Sequence, residues 1–425
     1  MKRMQYEVHL YYRTLLADTF GTVIKISQWC FTAPYPLYPY QQVTPDSRHR
    51  FYVLRFLQKF LAVLIFGTIT AIPVLIYFLH DKAVYVYSVP MSIKIMYYIQ
   101  TLLHIVGAWY VVYLYQFRTT FHRFYFHRFH RVLEQFGRRD IDVGLRQVKR
   151  AVRIIMILTP VEIAMVALLF ILYVKTWGQL PKLVSWGSNL ILRTTINLQY
   201  MTIMGTVAIL LRQMNDTLES FVTHVTHASD VQKTPNIQLI QPTRLTIDDQ
   251  LTIEKIRLLQ LELMKVVAKI NAGEFGTILC IYIIAIFVYI NIVLLQVYQG
   301  KLQNAMPFDM FCIRLISCAL TCVGLVVIAY SNRLVQKQNL RVGTILHQLN
   351  KVDNGLTCFN IINRFITQTP LFYDVHEARK MIPIDMSLIF KIVGGITSIF
   401  VVLVQFADSY KPHISSENDV TTFRP

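Results

Sequence analysis

Seven stretches of the chain consist mostly of apolar residues and are long enough to cross a bilayer. A helix needs about 20 such residues to span the ~30 Å hydrocarbon core. The stretches lie near residues 56–79, 91–115, 154–174, 189–211, 276–298, 310–330 and 387–408. The fourth is the weakest, because Arg193, Asn197 and Gln199 interrupt it. This pattern predicts an all-α membrane protein with seven transmembrane helices.

The connections between these spans are of two kinds. Those after the fourth and sixth spans are long and carry helical patterning, whereas the links on the opposite side are too short to form a ligand-binding domain. In the first long link, apolar residues recur at the alternating spacing of a heptad seam: Ile256, Leu259, Leu263, Val266 and Ile270. Thr246 is placed to cap this helix. We therefore expect an anchor layer of extended helices, which either packs only within the chain or also joins subunits.

The distribution of lysine and arginine gives the direction of the spans. The connections on one side, with the N-terminal arm, hold roughly five times as many of these residues as those on the other side. Positively charged links stay in the cytoplasm. The N-terminus is therefore expected in the cytoplasm and, after seven spans, the C-terminus outside the cell. This orientation is opposite to that of a G-protein-coupled receptor.

The composition agrees with a membrane protein and excludes several other classes. Of the 425 residues, 54% are hydrophobic and 16% are charged, with a mean hydropathy of +0.43, whereas soluble domains are about 25% charged. The net charge of +18 comes from the basic cytoplasmic links, so no nucleic-acid partner is expected. The six cysteines are expected to be free thiols. Since no catalytic or metal-binding motif occurs, we expect no enzyme activity, metal or cofactor.

A short basic segment, residues 121–131, carries three histidines among arginines. His122, His127 and His130 lack the spacing of four residues that favours a shared metal, and the neighbouring arginines repel a cation. We expect a solvated or lipid-facing basic helix beside the anionic inner leaflet.

The seventh span differs from a plain lipid anchor in its polar residues. It opens on Asp385, has small polar residues in its middle and ends on Gln405. Because an amide without partners in hydrocarbon is costly, these groups favour a helix that faces water inside an assembly. At helical periodicity Ser398, Gln405 and either Val401 or Val402 share one face. In a ring of copies, this face combines an apolar constriction, which can gate by dewetting, with amides that replace part of an ion's hydration.

Residues 384–406 resemble the seventh-span signature of insect gustatory receptors. The matching positions are Asp385, Leu388, Phe390, the pair Gly394-Gly395 and the pair Gln405-Phe406. Ser398 and Ile399 stand where the family has Thr-Tyr, so the hydroxyl is kept and the polar tip of the tyrosine is lost. Chain length, span number, orientation and long inner links also fit this family.

The resemblance implies a tetrameric, ligand-gated, non-selective cation channel in the plasma membrane of a sensory neuron dendrite. It implies a homotetramer or a heterotetramer with related receptor subunits, opened by a small-molecule tastant. The pore or gate is expected at Ser398, Val401, Val402, Gln405 and Phe406, with Phe406 either closing the mouth or packing behind it. Asp385 is expected to cap the pore helix, the alternative being that it attracts cations to the inner vestibule.

The resemblance places the ligand among the outer halves of the other spans, where polar side chains interrupt the apolar stretches. Charged residues inside spans are candidates for function, and aromatic walls with a few amides suit a flat or apolar ligand. The candidate ligand-binding residues are Tyr98, Glu162, Arg193, Asn197, Tyr200, Tyr289, Asn291 and Arg314. Core packing or the lipid interface is the alternative for each, and Glu162 has the alternative of a structural ion pair. With one deep carboxylate, a bitter or apolar aromatic tastant is favoured over a sugar.

These expectations divide the chain into seven segments. They are a cytoplasmic N-terminal arm (1–53), a ligand-binding bundle of spans one to four (54–212), a cytoplasmic link with an anchor helix (213–275), spans five and six (276–330), cytoplasmic anchor helices (331–386), the pore-lining seventh span (387–408) and an extracellular tail (409–425).

Three other functions compete with a gustatory channel. An odorant-type receptor channel shares the architecture and differs mainly in the seventh-span signature. A G-protein-coupled receptor predicts an extracellular N-terminus and motifs that are absent here. A secondary transporter predicts internal repeats, and none is found.

Overall fold

A computed structural model describes residues 2–35, 48–79, 91–118, 120–136, 141–173, 180–231, 246–302, 308–352 and 356–409. The described residues form eleven α-helices. In chain order these are α1 (Lys2–Trp29), α2 (Arg48–Leu79), α3 (Met91–Val112), α4 (Thr120–Phe136), α5 (Ile141–Tyr173), α6 (Leu180–Val231), α7 (Ile247–Asn271), α8 (Glu274–Leu302), α9 (Phe308–Val352), α10 (Leu356–Gln368) and α11 (Met386–Ser409).

Four smaller elements complete the described chain. A π-helical turn, Tyr113–Phe117, continues α3, and a 3-10 helix, Thr369–His376, follows α10. Two short strands, β1 (Glu377–Ala378) and β2 (Ile382–Pro383), pair antiparallel directly before α11. Arg379 and Lys380 turn this hairpin with positive φ angles of 53° and 58°.

The helices agree with the predicted membrane spans. Among the described residues, α2, α3, α6, α8, α9 and α11 are each long and apolar enough to cross a bilayer. The third predicted span lies in α5, where many side chains are outside the described part. The protein thus has the predicted all-α fold of membrane-length helices, in agreement with seven transmembrane helices. Its orientation, with a cytoplasmic N-terminus and an extracellular C-terminus, stays a prediction from the basic residues. Most of the predicted tail, from residue 410 onward, lies outside the described residues.

Two spans continue as unbroken helices well beyond the membrane. The 52 residues of α6 and the 45 residues of α9 correspond to lengths of about 78 Å and about 68 Å. Hydropathy predicts their inner ends at 211 and 330, because polar residues become more frequent there. One face nevertheless stays buried and apolar, at Met214 and Leu218 on α6 and at Val335 and Val342 on α9. Packing along this face extends both helices into the anchor layer.

The anchor helix α7 forms as its sequence predicts. All five heptad-seam residues are buried, with no more than 1% of their surface exposed. Thr246 and Asp249 form a capping box, in which Asp249 N donates to Thr246 Oγ1 at 3.2 Å and Thr246 N donates to Asp249 Oδ2 at 2.9 Å. On its flank, Arg257 pairs with Glu254 at 2.6 Å, and this hydrogen bond lowers the pKa of Glu254.

The expectation of a solvated or lipid-facing basic helix is wrong for α4. Its aromatic face packs against α1 and α7, and the ring of Phe126 meets Phe20 edge-to-face at 5.1 Å. His122 is buried beneath this face, where its ring stacks on Tyr115 and its Nδ1 lies 2.6 Å from Tyr125 Oη. Burial lowers the pKa of His122 to about 3. The helix is amphipathic, as its sequence pattern indicates, but the protein core covers its apolar face.

Candidate functional site

The start of α11 is fixed by Asp385. Its Oδ1 accepts from Leu388 N at 3.1 Å and from Ser387 Oγ at 2.5 Å. A carboxylate at this position satisfies an otherwise unpaired helix N–H and complements the positive end of the helix dipole. The residue therefore has the geometry of a helix cap.

One face of α11 packs on the chain's own helices. Leu388, Ile392 and Ile396 are buried there, mainly against α8. A Cβ atom added at Gly395 would lie 3.1 Å from the ring of Phe287, so this glycine allows the two helices to approach closely. Nearer the outer end, Phe400 meets Tyr298 edge-to-face at 6.1 Å.

The opposite face of α11 is exposed from Ser387 to Gln405. It carries the predicted pore residues Ser398, Val401, Val402 and Gln405. The hydroxyl of Ser398 donates to Gly394 O at 3.0 Å, within its own helix. Phe406 belongs to α11, but its side chain is outside the described part.

A charged residue that the sequence analysis did not single out shares this face. Lys391 is exposed and stands seven residues before Ser398, which in turn stands seven residues before Gln405. At 3.6 residues per turn, positions seven apart lie nearly above one another. The exposed face therefore presents an ammonium, a hydroxyl and an amide in one row.

A cavity lies between α3, α6, α8 and α9, with a volume of about 90 Å³. Most of its lining is leucine, isoleucine, valine and alanine, and the polar members are His104, Asn189, Arg193, Tyr282, Tyr289 and Ser317. A cavity of about 150 Å³ takes up benzene in another protein. The present cavity thus holds only a very small ligand unless the helices around it separate.

Two of the predicted ligand-binding residues line this cavity, Arg193 and Tyr289. Arg193 Nη1 donates to Thr321 Oγ1 at 2.8 Å, and the Tyr289 and Ser317 hydroxyls lie 2.8 Å apart. A third predicted residue, Asn197, is buried behind the lining and donates through Nδ2 to Tyr282 Oη at 3.3 Å.

The structure places the remaining predicted ligand residues away from the lining. Tyr98 is partly exposed on α3, and Asn291 is buried and donates to the Phe287 carbonyl of its own helix at 2.8 Å. Arg314 lies on α9, and its buried Nε has no hydrogen-bond partner among the described residues. Glu162 is in α5, but its side chain is outside the described part, so its predicted ion pair is not seen.

Tyr200, expected in the outer half of the bundle, instead reaches the cytoplasmic layer. Its ring stacks on Phe275 at 6.0 Å, and its hydroxyl donates to Asn271 Oδ1 at 3.0 Å. Asn271 is the last residue of α7, so the tyrosine joins the span to the anchor helix. Its position in the predicted span could not show this partner, because Asn271 lies 71 positions away in the sequence.

Tyr200 belongs to a buried polar group that we call the clasp: Tyr200, Asn271, Asn332, His376 and the backbone of Ile384. Asn271 Nδ2 donates to Asn332 Oδ1 at 3.3 Å, and His376 Nδ1 donates to the same oxygen at 3.1 Å. Asn332 Nδ2 donates to the carbonyls of Ile384 at 2.5 Å and His376 at 3.3 Å. Since Ile384 directly precedes the cap of α11, the clasp links α6, α7 and α9 to the start of that helix.

The environment of His376 keeps its ring neutral. The residue is 5% exposed, and burial lowers the pKa of His376 to about 4. At cytosolic pH the neutral ring donates from Nδ1 to Asn332. The clasp thus carries no net charge. Beside it, the backbone N of Arg379 donates to Asn271 O at 2.9 Å.

The described residues hold no group of three or more histidine, cysteine, aspartate or glutamate side chains placed to bind a metal ion. They form a small, mostly apolar cavity, a helix with one exposed face and a polar connection between the two.

These features belong to a multi-span, all-helical membrane protein. The sequence profile of the 7tm Chemosensory receptor family matches residues 22–410. The chain belongs to this family, which includes the insect gustatory and odorant receptors.

A solved structure shares the fold. The insect olfactory receptor OR5 from Machilis hrabei superposes with a TM-score of 0.58, covering 94% of this chain and 99% of that chain. The two sequences are 11% identical, so this likeness concerns the architecture alone. No curated protein sequence matches the chain significantly.

Proposed function

We propose that the chain is a subunit of a tetrameric, ligand-gated, non-selective cation channel of the gustatory type. It acts in the plasma membrane of a sensory neuron dendrite, as a homotetramer or together with related subunits. Membership of the chemosensory receptor family supports a receptor role. The division of α11 into a packed face and an exposed face supports the channel.

The exposed face of α11 is the observation that carries the proposal. On this face, the apolar side chains of Val401 and Val402 lie between the Ser398 hydroxyl and the Gln405 amide. In a tetramer with α11 at the axis, the valines form a constriction that gates by dewetting, and the amides replace part of the hydration of a permeant cation. A lipid-facing helix would gain nothing from an amide at this position.

The cavity provides the ligand site and the driving force for opening. Its volume of about 90 Å³ is small for a tastant, so a ligand binds more tightly to a state in which α3, α6, α8 and α9 lie further apart. A ligand shifts an equilibrium only by its difference in affinity for the two states. Binding therefore favours the expanded bundle, which we equate with the open channel.

The clasp carries this change to the pore helix. The helix α6 lines the cavity through Arg193 and, about 10 Å further along its axis, contributes Tyr200 to the clasp. Asn332 on α9 holds the carbonyl of Ile384 directly before α11. Movement of α6 relative to α9 thus alters the support of α11 at its inner end.

The lining supports the proposed ligand class. Apolar and aromatic residues with few polar groups favour a bitter or apolar aromatic tastant over a sugar, which needs several carboxylates and amides. The alternative is an odorant-type receptor channel, and the likeness to an olfactory receptor favours it as the second candidate. A panel of water-soluble tastants and volatile odorants, applied to the same cells, separates the two.

The test is ion selectivity in cells that express the chain alone. After a tastant panel finds an agonist, reversal potentials for sodium, potassium and calcium are compared between the wild type and Gln405→Ala. We expect the substitution to change relative permeability or conductance. Thr68→Ala is the matched control, because Thr68 is exposed on α2 and bonds only within its own helix. A responding Gln405→Ala channel with wild-type permeation would contradict the pore assignment.

A further inference from the structure

The cavity is elongated along the axis of the bundle. Its lining on α8 extends from Ile278 to Tyr289, which is about 16 Å along a helix. With a cytoplasmic N-terminus, α8 runs outward, so Tyr289 marks the outer end and Ile278 the inner end. A ligand that fills the cavity is therefore long and narrow and lies roughly parallel to the helices.

The two ends of the cavity differ in polarity. Asn189, Arg193, Tyr289 and Ser317, which carry most of its hydrogen-bond donors, lie in the outer parts of their spans. The inner part is formed mostly by apolar residues of α3 and α8, among them Val111, Ile278 and Ile281. Its polar exception is Tyr282, whose hydroxyl accepts from Asn197 Nδ2. An amphiphilic ligand fits this gradient in one orientation only, with its polar head toward the outside.

The outer end of the cavity is positively charged. Arg193 lines it, and Arg193 and Arg314 both lie close enough to the Tyr289 hydroxyl to interact with it electrostatically. The buried Nε of Arg314 has no hydrogen-bond partner among the described residues. No aspartate or glutamate occurs among the described lining residues. An ammonium head group would be repelled here, whereas an acceptor is attracted.

We propose that the cavity binds a monocarboxylate with an unbranched apolar tail, an inference that rests on the proposed ligand-gated channel and replaces the aromatic ligand favoured by the polarity of the lining alone. The carboxylate lies at the outer end against Arg193, supported by the Tyr289 and Ser317 hydroxyls, and the tail lies toward Ile278. The planar guanidinium matches a carboxylate in a bidentate geometry, which an alcohol cannot use. Arg193 is therefore the residue that selects the head group.

The test uses three ligands of equal chain length on cells expressing the full chain. Octanoate, octanol and octylamine share one tail and differ in the head. Octanoate is expected to open the channel at the lowest concentration, octanol at a higher one, and octylamine not at all. Equal potency of octanoate and octylamine would overturn the proposal.

Substitutions then separate recognition from folding. Arg193→Gln is expected to raise the half-activating concentration of octanoate by about 10-fold to 100-fold, the worth of hydrogen bonds to a charged group, and to leave octanol unchanged. Arg212→Gln, on the same helix but exposed and paired with Asp216, is the matched control and should leave both ligands unchanged. If Arg193→Gln does not reach the cell surface, Arg193→Lys keeps the charge and is expected to reduce octanoate potency partially. An equal loss for octanoate and octanol in either variant refutes the assignment.

The proposed channel is assessed separately from its ligand. If the protein reaches the surface and none of the three ligands opens it, the ligand class is refuted. The mass of the purified oligomer, which requires no ligand, then decides whether the channel proposal survives. A tetramer retains the proposed function, and a monomer contradicts it.

Discussion

Replacing Asn332 with leucine tests whether the clasp controls the pore helix. Leucine has a similar volume but makes no hydrogen bonds, so the Ile384 carbonyl and His376 Nδ1 lose the partner that they have now at 2.5 Å and 3.1 Å. Neighbouring bonds survive, since Ile384 N still donates to His376 O at 3.0 Å and Asn271 Nδ2 to Val375 O at 2.9 Å. Two buried polar groups are thus left unsatisfied.

The size of the effect follows from these two groups. Each costs about 1–3 kcal/mol when it is buried without a partner, so the clasped state loses about 2–6 kcal/mol. Every 1.4 kcal/mol is about a factor of ten in an equilibrium constant. If opening releases the clasp, even the lower limit shifts the closed-to-open equilibrium about 30-fold toward the open state.

The assay is the current without ligand, expressed as a fraction of the maximal ligand-evoked current in the same cells. Asn332→Leu is expected to raise this fraction and to lower the half-activating ligand concentration. Asn339→Leu is the control, because Asn339 lies two turns further along α9, is equally buried and accepts from Gln260 Nε2 at 2.9 Å within the anchor layer. An Asn332→Leu channel that reaches the surface with wild-type basal current and sensitivity refutes the reasoning, as does an identical phenotype for Asn339→Leu.

Three further predictions concern the pore row, the clasp and the packing of α11. Lys391→Gln should raise single-channel cation conductance about twofold or more, because a ring of ammonium groups repels cations; unchanged conductance would place Lys391 away from the conduction path. The pKa of His376 is about 4 when folded, so its contribution to stability is complete above pH 6.5 and is lost as the pH falls toward 4. Lowering the pH from 7 to 5 should reduce the free energy of unfolding by about 2 kcal/mol. His376→Gln should reduce the accompanying fall in melting temperature. An equal fall in both proteins would contradict this account. Gly395→Val should lower the yield of folded protein, since its Cβ would meet the Phe287 ring at 3.1 Å, whereas Gly394→Val, with open space around it, should not; equal yields would show that the close packing is not needed.

The sequence predicts the membrane architecture well, because each of its determinants is local. Apolar length identifies a span, basic residues orient it, and the heptad spacing from Ile256 to Ile270 identifies the buried face of α7. The capping box at Thr246 likewise depends on residues three apart. None of these features requires knowledge of distant partners.

The clasp could not be predicted in this way, because its members come from four separate parts of the chain. Asn332 hydrogen-bonds to a residue 61 positions away and to another 52 positions away. In the sequence it is a single amide near the inner end of a span, where an interfacial position is the simpler expectation. His122 was misjudged for a similar reason, since the distant N-terminal arm contributes Phe20, which packs on Tyr125 and Phe126 and helps to cover this face of α4. One sequence signal was available: Asn271 ends the helix of the heptad seam, and Asn332 follows the inner end of the predicted sixth span.

The central claim is that the exposed face of α11 borders water in a conduit shared by several subunits. Single cysteines introduced into a background free of the six native ones, at Ser398 on this face and at Ile392 on the packed face, test it with a membrane-impermeant, positively charged thiol reagent. Modification of Ser398→Cys should reduce the ligand-evoked current rapidly, while Ile392→Cys should stay unaffected. A Ser398→Cys channel indifferent to the reagent, or equal inhibition at both positions, would contradict the claim.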